Sequence, residues 1–149
     1  MGRTTLGQAV RNAIEAEWEA ARYYSRLVPH AANQDAERFL TDMAGQEFEH
    51  ARDLERFAAS LQAGKVPLTP DRDVGELVAL PALVPGEPVQ YQAALELALD
   101  AETRAHAAYA ALAERTGGDV GAFFDKLAAT ELQHAGQLQG LLDAVRALA

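Results

Sequence analysis

The sequence predicts an all-α fold, an antiparallel four-helix bundle made of two helix hairpins joined by a long crossover connection. Three features predict it. Four segments place their seam residues at alternating steps of three and four, the pattern of a helix packed in a bundle. Five of the six prolines (Pro67, Pro70, Pro81, Pro85 and Pro88) fall in one stretch between the second and third segments. Alanine and leucine dominate the segments and β-branched residues are scarce, so no strand pattern competes.

The first helix is expected over about 4–28, with seam residues Val10, Ile14, Glu17, Ala21, Tyr24 and Val28, and Pro29 closes it. The second, about 35–63, has Leu40, Met43, Glu47, His50, Leu54, Phe57 and Leu61 on its seam. The crossover follows over about 64–88, with room for a helical turn around Val74–Leu80. The third helix, about 89–115, starts after Pro88, a residue that a first turn tolerates, and its seam is Leu95, Leu99, Glu102, His106 and Tyr109. Gly117-Gly118 reads as a turn with Asp119 as N-cap. The fourth helix, about 119–147, carries Phe124, Leu127, Glu131, His134, Leu138, Leu141 and Val145. Short loops make each pair a hairpin, and the whole of 1–149 reads as one domain.

Composition narrows the function. The chain has 149 residues, enough for a single core, and 49% of them are apolar. With 13 Lys+Arg against 22 Asp+Glu the net charge is −9, which argues against nucleic-acid or anionic-membrane partners and is compatible with cations. There is no cysteine, which excludes disulfides, iron–sulfur clusters and thiolate zinc sites. The N-terminal stretch MGRTTLGQAVRNAIEAEWEA has no continuous apolar run, and no segment reaches membrane-spanning length, so the expected address is the cytoplasm.

Each seam is interrupted near its middle by ionisable residues: Glu17; Glu47 and His50; Glu102 and His106; Glu131 and His134. A buried carboxylate without compensation is costly, and four in one layer repel one another. Lys and Arg are absent from all four seams, whereas two divalent cations would balance four carboxylates. Glu47/His50 and Glu131/His134 are both Glu-x-x-His, a spacing that puts a carboxylate and an imidazole on one helix face. Oxygen and imidazole ligands without thiolate suit iron or manganese, with zinc as an alternative. The set also repeats. Glu17 to Glu102 and Tyr24 to Tyr109 are each 85 positions apart, and Glu47 to Glu131 and His50 to His134 are each 84. Tyr24 and Tyr109 follow Glu17 and Glu102 by two helical turns, so each phenol could bond a ligand carboxylate across the bundle or simply fill the core.

The stretches AIEAEWEAARYY, GQEFEH, LDAETRAHAAY and ATELQH resemble the rubrerythrin-like branch of the ferritin-like superfamily of carboxylate-bridged di-iron proteins. The resemblance covers essentially the whole chain. It implies two irons per site, bridged by Glu47 and Glu131, with Glu17 and Glu102 as terminal carboxylates and His50 and His134 as nitrogen ligands. It further implies reaction with hydrogen peroxide or dioxygen while ferrous iron is oxidised, and a small oligomer, expected as a homodimer. Full-length rubrerythrins add a rubredoxin domain with a four-cysteine iron. A chain without cysteine needs a separate electron-donor protein such as a rubredoxin. Those proteins also carry an extra glutamate one turn beyond the third-helix ligand, where this chain reads Ala105-His106.

His106 breaks the repeat, because its counterpart is Ala21. It is either a core histidine bonded to a neighbour, a seventh ligand, or a proton donor to bound peroxide. His30 reads as surface; Glu15, Glu19 and Glu49 read as solvated. Trp18 and Tyr23 lie off the seam, where they would cover an exposed flank or a dimer contact. The expected function is a di-iron oxidoreductase of peroxidase or ferroxidase type. Non-catalytic iron binding or storage is the alternative, and oxidation of an organic substrate is a third reading.

Overall fold

The computed structural model describes residues 5–62 and 91–147. In order they form α1 (Leu6–Leu27), a 3-10 turn (Val28–His30), α2 (Gln34–Gln62), α3 (Tyr91–Thr116) and α4 (Gly118–Ala147). The expected crossover over about 64–88 lies outside the described residues, as do positions 1–4, 63, 89, 90, 148 and 149.

Local chemistry sets the helix ends. A first helical turn leaves amides without partners. Thr5 satisfies one of them in α1, its side chain accepting from Gln8 N at 3.2 Å. Asn33 does the same for α2, with Oδ1 accepting from Ala36 N at 2.8 Å, while Asp35 and Glu37 set negative charge against the positive end of the helix. Pro29 lies within the 3-10 turn that follows α1. Gly117 and Gly118 take φ +66° and +60°, a left-handed backbone that glycine adopts without penalty. Because α4 already starts at Gly118, Asp119 sits inside its first turn, and the expected N-cap assignment is corrected accordingly. A Cβ on Gly121 would stand 2.9 Å from the carbonyl oxygen of Ala113, so this glycine lets the start of α4 close on the end of α3.

α1 packs along α2 and α3 along α4, each pair an antiparallel hairpin, while the backbones of the two hairpins approach less closely. Side chains fill the space between them. The apolar core is divided in two. One cluster holds Leu6, Val10, Phe57, Tyr109, Leu112 and Phe124; the other holds Tyr23, Tyr24, Leu40, Met43, Leu95 and Leu138. Between the two lies the polar layer.

Tyr23 departs from expectation. It is fully buried, and its hydroxyl donates to the carbonyl oxygen of Ala94 in α3 at 2.8 Å. The reason is geometric. A helix in a four-helix bundle meets two neighbours, so it buries a face wider than one seam. α3 lines that contact with small buried residues such as Ala94 and Ala98, which leave room for a phenol ring. Trp18 is half-buried on the outer flank, edge-on to Phe48 with ring centroids 4.4 Å apart.

Candidate metal centre

Glu17 on α1, Glu47 and His50 on α2, Glu102 on α3, and Glu131 and His134 on α4 all converge in the polar layer. Helical spacing brings the two members of each Glu-x-x-His pair to one face, and hairpin packing brings the four faces together. Glu17, Glu47, Glu102, Glu131 and His134 are 1–3% exposed, and His50 is 9% exposed.

The side chains form two overlapping groups able to hold a metal ion. One is Glu17, Glu47, His50 and Glu131; the other is Glu47, Glu102, Glu131 and His134, with the ligand atoms of each within 4.8 Å of one another. Glu47 and Glu131 belong to both. The layout has an approximate two-fold symmetry. Nδ1 of His50 lies 3.1 Å from Glu131 Oε1, and Nδ1 of His134 lies 2.9 Å from Glu47 Oε1. Each imidazole thus approaches the shared glutamate of the opposite hairpin. The two rings lie nearly parallel, 5.9 Å apart.

Both tyrosines reach the layer, and their bonds cross between hairpins. Tyr24 Oη donates to Glu102 Oε1 at 2.8 Å and Tyr109 Oη to Glu17 Oε1 at 2.7 Å. Burial, followed by the charges of Glu102 and Glu17 respectively, pushes both phenols well above their ordinary pKa, so they remain neutral donors. His106 stands elsewhere: it is half-buried, with Nδ1 donating to the carbonyl oxygen of Ala128 at 2.8 Å. It is not part of either group. His30, Glu15 and Glu49 lie outside the polar layer, and Glu19 pairs with Arg22.

The electrostatics are those of crowded like charges. Burial, and then Glu17, Glu102 and Glu131, push the Glu47 carboxyl well above its usual range. Burial and Glu131 do the same to Glu102. Burial also pushes Glu131 upward, but contacts with Glu102, His134 and His50 outweigh it and hold that carboxyl below the usual range. Burial lowers both imidazoles, yet the surrounding carboxylates outweigh it and raise His50 to about 10 and His134 to about 9. Protons therefore take the place of positive charge in this layer. They fit poorly: Glu17 Oε2, Glu47 Oε1, His50 Nδ1, Glu131 Oε1 and His134 Nδ1 approach one another as ion pairs but are not aligned as hydrogen bonds. Lone pairs converging without N–H or O–H axes between them suit a cation, and an oxygen-and-imidazole set without thiolate is compatible with iron, manganese or zinc.

Sequence reasoning passes over Gln46. Its Oε1 accepts a hydrogen bond from His134 Nε2 across the α2–α4 contact. The available signal is its place beside Glu47, on the helix facing the second Glu-x-x-His pair. Gln46 also borders a cleft of about 800 Å³ between α2 and α4, lined in addition by His50, Asp53, Phe123, Lys126 and Thr130.

A four-helix bundle with carboxylates and histidines from two hairpins in one buried layer defines a helical scaffold around a candidate metal centre. The chain belongs to the rubrerythrin family, whose model matches residues 8–142. Its fold is similar to the 2.30 Å crystal structure of a Thermotoga maritima protein described as a putative ferritin-like diiron-carboxylate protein. The TM-score is 0.78 at 18% identity, over 96% of this chain and 97% of that one. At that identity the likeness shows the fold. No curated protein matches the chain. No helix among the described residues is long and apolar enough to cross a membrane.

Proposed function

We propose that the chain is a di-iron oxidoreductase of rubrerythrin type. It would oxidise ferrous iron and reduce hydrogen peroxide or dioxygen, with electrons from a separate donor protein such as a rubredoxin. The observation that carries this reading is the sharing of Glu47 and Glu131 between two ligand groups whose buried atoms lack hydrogen-bond partners. When bound, two iron ions supply the redox equivalents and the Lewis acidity.

In this reading Glu47 and Glu131 would serve both ions, Glu17 and Glu102 one each, and each histidine would offer Nδ1, the nitrogen that faces the carboxylates. Tyr24 and Tyr109 hold the terminal carboxylates in orientation through Oε1. Each Nδ1 would have to give up its proton for a cation to bind there, so metal uptake would displace protons from the layer. The two apolar clusters cover it from either end, and of the two ligand groups only His50 borders the cleft between α2 and α4. We place the protein in the cytoplasm as a homodimer, without nucleic-acid or membrane partners.

The test is metal counting. Apo-protein receives ferrous iron without oxygen, excess is removed, and iron per chain is measured beside Glu47→Ala. About two per chain, lost in the variant, supports the reading. Loaded protein is then mixed with hydrogen peroxide or dioxygen and reductant. Sustained turnover supports the enzyme, whereas oxidation that stops after one round in a large closed-shell particle identifies an iron store. Near-zero iron in both proteins removes the proposal.

A further inference from the structure

We propose that Gln46 is a positioning residue for the metal centre, which makes the His134 position the tighter of two otherwise similar metal positions. This rests on the di-metal reading above. His134 Nδ1 faces Glu47 at 2.9 Å, so Nε2 points out of the layer, where it meets Gln46 Oε1. A neutral imidazole carries one N–H. A carboxamide oxygen at Nε2 holds the proton there and leaves the Nδ1 lone pair facing the carboxylates. Gln46 and Glu47 are adjacent on α2, so one helix grips both edges of a ring that belongs to α4.

The arrangement is not repeated at the other histidine. Eighty-four positions after Gln46 stands Thr130, whose hydroxyl donates to the Lys126 carbonyl in its own helix at 3.1 Å. His50 borders the cleft between α2 and α4. It is the one residue of the two ligand groups that does so, and it is the most exposed of the six. The near-symmetric centre therefore has one imidazole with an outer hydrogen-bond acceptor and one beside an open cleft. Partners that orient a metal-binding histidine typically change metal affinity about ten- to a hundredfold.

The experiment titrates apo-protein with zinc(II), a diamagnetic probe, by calorimetry, and follows the imidazole N–H signals of the zinc-loaded protein by NMR. Wild type is compared with Gln46→Leu, which keeps the bulk and removes the acceptor, with Gln46→Glu, which keeps an acceptor, and with Thr130→Ala. Wild type is expected to bind in two unequal steps and to show a protected Nε2–H on His134. In Gln46→Leu one step weakens about ten- to a hundredfold, the other is unchanged, and the His134 signal loses its protection. Gln46→Glu restores both features, and Thr130→Ala resembles wild type. Unchanged binding in Gln46→Leu, equal weakening of both steps, failed rescue, or equal affinities in wild type would each overturn the inference alone. No zinc uptake by wild type would remove it together with the di-metal reading.

Discussion

Tyr109 donates its phenolic proton to Oε1 of Glu17, 92 positions earlier in the chain, at 2.7 Å. With its counterpart from Tyr24 to Glu102 it ties the two hairpins together through the very carboxylates proposed as ligands. Tyr109→Phe keeps the ring and removes the donor. Glu17 Oε2 makes no hydrogen bond and has only the His50 ring at 3.6 Å, so the variant would leave a buried carboxylate without any hydrogen bond. The expected loss in the apo-protein is about 1–3 kcal/mol, measured by urea unfolding. An unchanged midpoint would show that the bond contributes nothing net.

Sharing of ligands predicts a graded response to deletion. Glu47 and Glu131 belong to both groups, whereas Glu17 and Glu102 belong to one each. Glu17→Ala and Glu102→Ala are expected to keep about one metal ion per chain, while Glu47→Ala or Glu131→Ala keeps none under the same wash. Equal losses in all four variants would contradict two overlapping positions.

Metal uptake should release protons. His50 and His134 sit at about 10 and about 9, so both are charged at neutral pH, and each must lose a proton before Nδ1 can bind a cation. Apparent affinity therefore rises with pH up to about 9–10, and zinc added at pH 7 to weakly buffered protein acidifies the solution. A dye titration with no proton release would refute this.

The apo-protein's own stability should move the opposite way. Folded histidines hold protons that the unfolded chain releases near pH 6.5. Their stabilisation is fully present below that value and is lost as pH rises through about 9 and about 10. The raised carboxyls of Glu47 and Glu102 act in the same sense. The melting temperature of metal-free protein is expected to fall between about pH 7 and pH 10. A rise over that range would contradict the raised histidine pKa values.

His106 is expected to matter to packing. His106→Ala removes the bond to the Ala128 carbonyl, which links α3 to α4, at a cost of about 0.5–1.5 kcal/mol. Metal content stays as in wild type. Normal stability with slowed peroxide reduction would point instead to proton donation.

Much of this organisation is legible in the sequence for a physical reason. A helix seam must be apolar, so Glu17, Glu47, Glu102 and Glu131 stand out as exceptions, and their 84- and 85-residue offsets pair the hairpins. The Glu-x6-Tyr spacing puts each phenol at the right level, although which carboxylate it meets depends on the crossing of the hairpins, a tertiary fact. The burial of Tyr23 is not legible, because seam counting allows each helix a single contact face, whereas this ring is covered by the contact of α1 with α3. Gln46 is equally silent, because an exposed glutamine on a helix looks like any solvated residue until the ring opposite it is in place.

The division of the core into two clusters makes the polar layer a bulkhead between two compartments. Phe124 belongs to one and Leu138 to the other, and among the described residues the two clusters have no member in common. Damage to residues without shared partners is close to additive. Either end of the bundle is therefore free to be repacked, by drift or by design, without consulting the other. Only the partition itself must satisfy both sides at once.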